Sequence, residues 1–168
     1  MHSKKNKPLC TKTAQLIRDF YTHFHQRDYQ KMRAAYAEQA VFFDALFTLE
    51  GIEEVGAMWQ MLCQAAGPDF RVVCTRAEAD EHRGQAEWEA FYTFSQTGRK
   101  VHNRIQANFE FENGKIKFHE DTFRFWRWAT QAFGPLGWLL GGTSFFKNKV
   151  REKVNARLEK FIQQNQEK

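Results

Sequence analysis

The sequence predicts an α+β domain in which a curved antiparallel sheet wraps N-terminal helices into a cone, with an extra amphipathic helix at the C-terminus. Three observations predict it. The length of 168 residues suits one domain. The period of the apolar residues changes once, from helical to strand-like, at Gly67-Pro68. The strand-like segments beyond that point are joined by tight-turn sequences and so read as an antiparallel meander. Strands this long in a small sheet twist and curl, and helices packed into the concave side close the cone.

Each element has its own signal. Residues 1–9 read as a disordered tail, 10–128 as the cone domain, and 129–168 as an apolar, Gly-containing lid segment followed by the amphipathic helix. Thr11 or Thr13 caps a first helix running to about Gln26, with Leu16, Ile17, Phe20, Tyr21 and Phe24 on one face. A second helix over 29–37 turns Met32, Ala35 and Tyr36 inward. Residues 41–47 are β-branched and aromatic and read as a strand. Gly51 opens a third helix, with Ile52, Val55, Trp59 and Leu62 aligned. Four strands follow at 70–79, 85–95, 100–111 and 115–127, with turns at Thr97-Gly98 and Asn113-Gly114. Gly134-Pro135, Gly137 and Gly141-Gly142 break up an apolar linker. Thr143 or Ser144 then caps a final helix with the stripe Val150, Val154, Leu158, Phe161 and Ile162. The default berth for that stripe is the convex face of the sheet; an anionic lipid surface is the alternative.

Composition narrows the function classes. Apolar residues make up 42% of the chain, which excludes disorder for most of it. The 17 Phe and 5 Trp suit a broad cavity as well as a solid core. The net charge of +5 concentrates in Lys4, Lys5, Lys7 and Lys12 and again in Lys147, Lys149, Arg151 and Lys153. Between these clusters the signs alternate, as on a solvated surface, so no nucleic-acid partner is expected. Cys10, Cys63 and Cys74 are unclustered and read as reduced thiols, two of them buried, in a cytoplasmic protein. No apolar run suits a signal peptide or a membrane span. The six His are scattered, and no phosphate loop or nucleophile elbow occurs, so neither a metal nor another cofactor is implied.

Strand alternation assigns the interior. Trp88, Ala90, Tyr92 and Phe94 share a face, as do Asn103, Ile105, Ala107 and Phe109, and His119, Asp121, Phe123 and Phe125. With Phe20, Phe24 and Trp59 from the helices, the expected pocket lining is Phe20, Phe24, Trp59, Trp88, Tyr92, Asn103, Phe109 and Phe123. The candidate catalytic residues are Asp44, His119 and Asp121. Asp44 lies among Phe42, Phe43, Leu46 and Phe47, where desolvation raises a carboxyl pKa toward that of a general base. The competing role for Asp44 is to cap a turn or pair with a surface Lys. His119 and Asp121 form either an acid–base pair or a buried pair that satisfies its own hydrogen bonds.

Several stretches carry a family resemblance: Arg27-Asp28-Tyr29, the run from Tyr36 to Asp44, Gly51-Ile52-Glu53, the hairpin from Phe109 to Ile116, and Glu120-Asp121-Thr122-Phe123. Over residues 13–125 the chain resembles the nuclear transport factor 2-like superfamily, which includes ketosteroid isomerase, limonene epoxide hydrolase and the SnoaL-like polyketide cyclases. The resemblance implies the cone fold, puts Asp44 at the position of the isomerase base, and aligns Asp121 with an acid of the epoxide hydrolase set. It also shows departures. The two isomerase oxyanion donors fall on Phe20 and Ala107, with Tyr21 one residue out of phase. The epoxide hydrolase Arg and second Asp fall on Trp88 and Ala90, and its water-orienting Tyr and Asn on Phe42 and Asp44. The expectation is a protein that binds a small, largely apolar molecule and performs isomerase- or cyclase-like acid–base chemistry. The alternative is a non-catalytic ligand-binding or dimerising module. The expected partners are a small apolar ligand, a second copy through the sheet face, and a peripheral membrane contact through residues 133–153.

Overall fold

The structure, a computed structural model, describes residues 12–166. The expected tail, Thr11 and Cys10 lie outside the described residues. Helices α1 (Lys12–His25) and α2 (Tyr29–Ala34) precede strands β1 (Tyr36–Phe43) and β2 (Thr48–Glu50). Helix α3 (Ile52–Ala65) leads into β3 (Arg71–Ala79), β4 (Arg83–Phe94), β5 (Arg99–Glu112) and β6 (Lys115–Thr122). Helices α4 (Phe125–Phe133), α5 (Pro135–Leu140) and α6 (Ser144–Gln166) complete the chain.

The six strands form one sheet in the order β2-β1-β6-β5-β4-β3. The meander β3 to β6 is antiparallel throughout, and Asn113 and Gly114 take φ of 52° and 74° at its last turn. The sheet as a whole is mixed rather than antiparallel, because β1 runs parallel to β6. That pairing sets the site: Phe42 is registered with His119 and Phe43 with Glu120, which brings the chain around Asp44 beside Asp121.

Two boundaries differ from the sequence reading. The second helix stops at Ala34 and the first strand begins at Tyr36, not at residue 41. The β1–β6 register shifts between Tyr36 and Val41, and exposed Glu38 interrupts the buried series Tyr36, Ala40 and Phe42, so the start of the strand lacks a clear period of two and Tyr36 falls in helical spacing with Met32. The last strand ends at Thr122, and α4 begins at Phe125. Phe125, Trp128, Ala129 and Ala132 are its buried face, a helical spacing that overrides the short period-2 run before it. At the N-terminus, Thr13 donates to the Asp80 carbonyl at 2.6 Å.

Helix α1 lies on the concave side against β3, with Ile17, Phe20, Tyr21 and Phe24 buried. Helix α6 does not lie on the convex face, where its stripe was expected. It crosses to α3 and to the turn at residues 44–47. Arg151 donates to the Ala45 carbonyl at 2.9 Å and Asn155 to the Leu46 carbonyl at 2.8 Å. The convex face needs no such cover. It carries its own polar ladder, in which His102 and Arg104 meet Glu89 at 2.6 and 3.6 Å. Leu158 is the buried anchor of α6. Leu158→Ala is expected to cost about 2–3 kcal/mol and to speed amide exchange in α6 before that of the sheet, read by urea unfolding and hydrogen exchange. Uniform exchange across the chain would show that α6 is not a separately docked element.

Candidate functional site

A cavity of about 420 Å³ opens between the concave side of the sheet, α3, α4 and α6. Phe24, Trp59, Trp88, Tyr92 and Phe123 line it, together with Asn103, Asp44 and Asp121. Phe20, Phe109 and His119, also expected in the pocket, do not line it. They are fully buried behind it, because the His119 ring is packed into a cage of other rings. Phe109 lies 4.3 Å from it, Phe42 5.1 Å and Phe20 5.7 Å, with Tyr36 and Trp59 stacked alongside.

Within this apolar packing a chain of polar groups runs to the cavity wall. Trp59 Nε1–H donates to the Tyr36 hydroxyl at 3.0 Å. The same hydroxyl meets His119 Nδ1 at 2.6 Å, and His119 Nε2 meets Asp121 Oδ1 at 3.1 Å. Trp88 Nε1–H also donates to Asp121 Oδ1, at 3.2 Å. The Trp59 indole can only donate, so the Tyr36 oxygen accepts from it, and donation to His119 Nδ1 is the assignment that gives the Tyr36 proton a partner. The remaining imidazole proton sits on Nε2 and is donated to Asp121. Every member is then satisfied, and Asp121 is held rigidly at the wall. His119 bonds Asp121 and does not itself line the cavity.

Asp44 does two things at once. It closes the β1–β2 turn, its Oδ1 accepting from Leu46 N–H at 2.7 Å and Phe47 N–H at 2.6 Å. It also lines the cavity, beside Asp121. Burial pushes its carboxyl up to about 6, the two backbone donors oppose the rise, and the Asp121 charge adds to it. A turn cap and a perturbed carboxyl therefore coincide in one side chain.

The cavity also holds hydrogen-bond donors that sequence reasoning did not assign. Trp128 Nε1–H donates to the Tyr92 oxygen at 2.8 Å, which leaves the Tyr92 proton available to a ligand. Asn103 lies diagonally across the β4–β5 ladder from Tyr92, on the same face. Lys149, Lys153 and Arg157 of α6 line the same cavity. Sequence pattern alone does not reveal Tyr36 or these three cations, the first because it falls in helical spacing with Met32 and Ala35, the others because they flank the apolar stripe of α6. Among the described residues no cluster of three or more His, Cys, Asp or Glu is placed to hold a metal ion.

A profile of the SnoaL-like domain matches residues 17–119. The chain belongs to the SnoaL-like domain family. No curated protein matches this SnoaL-like chain in sequence. Solved structures share its fold at low identity. An LEH-like epoxide hydrolase of M. tuberculosis is 17% identical with a TM-score of 0.61, the match covering 79% of this chain and 97% of that one. A nuclear transport factor 2-like protein of Burkholderia pseudomallei is 22% identical, covering 68% and 92%, with a TM-score of 0.60. A Catenulispora acidiphila protein with a ketosteroid isomerase-like fold, in complex with trimethylamine, is 13% identical, covering 74% and 96%, with a TM-score of 0.64. The profile ends at His119, so α4, α5 and α6 lie beyond the matched SnoaL-like segment.

Proposed function

We propose that the cavity binds a small, largely apolar carbonyl compound and that Asp44 moves a proton between two of its carbon atoms. The observation that carries this reading is the pair of carboxylates at one wall of an aromatic cavity, with unlike environments. Asp121 is fixed by two N–H donors, while Asp44 is desolvated, with its pKa about 6. A base poised near neutral pH beside a fixed charge suits proton abstraction next to a carbonyl. Asp44 takes the proton, the electron pair delocalises onto the carbonyl oxygen, and the Asp44 carboxyl, which exchanges with solvent through the cavity, returns a proton at the far carbon. The Tyr92 hydroxyl and the Asn103 amide are the donors available to the oxygen, in place of the pair missing at Phe20 and Ala107.

The test is a small β,γ-unsaturated ketone, cyclohex-3-enone, in D2O, followed by NMR for deuterium uptake and for the conjugated isomer. Exchange is expected to rise with pH through about 6, as Asp44 ionises. Asp121→Asn removes a charge that raises the Asp44 pKa, so it should move this acid limb to lower pH. Asp44→Asn should abolish exchange above the buffer rate. Exchange that survives Asp44→Asn would end the assignment of the base, and a native mass spectrum free of any co-purified or added apolar compound would argue against the cavity as a binding site.

A further inference from the structure

Helix α5 is apolar on the outside. Its glycines face the protein. A Cβ on Gly137 would stand 1.8 Å from the Ala129 carbonyl oxygen, and one on Gly141, just past the helix, would stand 2.3 Å from the Gly137 carbonyl oxygen and 2.8 Å from the Ala129 Cβ. The close approach of α5 to α4 therefore requires glycine at both positions. With the small residues turned inward, Leu136, Trp138 and Leu139 stand out at 52%, 59% and 67% exposure. Trp126 of α4 and Phe145 at the start of α6 extend the patch. Of the eight large apolar side chains exposed among the described residues, these five fall within residues 126–145. The patch is held in place. Trp126 Nε1–H donates to the Trp138 carbonyl at 2.9 Å, and the Thr143 hydroxyl caps α6 by accepting from Phe146 N–H at 3.2 Å. A contiguous exposed apolar surface of this kind marks a contact with something else.

Charge says what that something is. Residues 123–166 hold eight Lys and Arg and two Glu, an excess larger than the net +5 of the whole chain. Phe145, Lys149 and Lys153 recur at four-residue spacing on one exposed face of α6. Lys149 and Lys153 also line the cavity, so the patch adjoins its mouth. Apolar side chains rimmed by ammonium groups complement an anionic lipid surface: the former enter the acyl boundary and the latter meet phosphates. A second copy docked on the same patch would bring like charges together, which argues against self-association there.

We infer that the α4–α6 face docks on an anionic lipid surface, with Leu136, Trp138 and Leu139 inserted and the mouth of the cavity turned toward the bilayer. No helix among the described residues is long and apolar enough to cross a membrane, so the contact is interfacial. The inference stands apart from the acid–base reading of the cavity and does not need it.

Co-sedimentation of the full chain with vesicles tests it. Vesicles of equal parts phosphatidylcholine and phosphatidylglycerol should bind the chain, moderate salt should weaken binding, and phosphatidylcholine alone should bind poorly. Lys149→Gln/Lys153→Gln should weaken binding about 30-fold, about five-fold or slightly more for each cation. Trp138→Ala/Leu139→Ala should weaken it about 100-fold, with the unfolding midpoint unchanged because both side chains are exposed. Absence of binding, or equal binding to neutral and anionic vesicles, would overturn the inference. So would a dimer in light scattering that Trp138→Ala/Leu139→Ala converts to monomer while no vesicle binds, since a second copy would then cover the patch.

Discussion

Replacing Asp44 by Asn is expected to make the protein more stable at about pH 8 while removing its proton-transfer activity. The Asp44 pKa is about 6 in the folded chain against an ordinary value of 3.8, with burial as the largest cause. The folded state therefore holds this proton more tightly than the unfolded state. The sign follows by linkage: stability falls as pH rises from about 4 through about 6, and the full penalty is present above that window. A shift of about two units corresponds to at most about 3 kcal/mol, and contact with solvent through the cavity reduces it, so about 1–3 kcal/mol is expected. Asn keeps a side-chain oxygen, so the hydrogen bonds from Leu46 and Phe47 that close the turn can persist. Urea unfolding at about pH 8 and about pH 4 reads the effect as a gain at the higher pH that vanishes at the lower. A variant less stable than the parent at both pH values would mean that the charged carboxylate stabilises the turn and that Asp44 is a structural cap.

That double role explains how much of the site was legible. The run from Phe42 to Phe47 announces a carboxylate among apolar side chains, and both readings of it, turn cap and desolvated acid, hold in the one residue. The period of two in β4 and β5 matches the buried face at Trp88 and Ala90 and from Ile105 to Phe109, because strand alternation is a local property, and it fades over residues 91–94, which are all half-buried. What could not be read depends on pairings distant in sequence. The register shift in β1 hides Tyr36, and only the parallel pairing with β6 brings it to His119. His119 and Asp121, two residues apart on one strand, were expected to face the cavity together. The cage of Phe20, Phe42 and Phe109 withdraws the first and leaves only the second exposed to a ligand. The stripe of α6 was visible, but its berth was not, since nothing local says that the convex face satisfies itself with ion pairs.

Tyr36→Phe should act in the opposite sense to Asp44→Asn, with a large loss of stability and the acid limb of exchange retained. The Tyr36 hydroxyl is the one acceptor for Trp59 Nε1–H and the one donor to His119 Nδ1 among the described residues. All three side chains are buried. Removing the oxygen leaves the ring in place, so packing is conserved, but it orphans two buried polar atoms. At about 1–3 kcal/mol for each, the expected cost is about 2–6 kcal/mol. For a chain of this size that is a fall in Tm of roughly 5–25 °C. Asp121 still requires the Nε2 proton of His119, so the tautomer should hold, and 15N shifts of the imidazole should show Nε2–H in both proteins. Tyr36 and Trp59 are not among the groups that shift the Asp44 carboxyl, so its titration near pH 6 should change little. A Tm within about 1 °C of the parent would mean that water or another group satisfies Trp59 and His119, and the buried chain could not then be what holds Asp121. A shift of the tautomer to Nδ1–H would break the bond to Asp121 instead. The acid limb should then move with it, because the charge beside Asp44 would no longer be fixed in place.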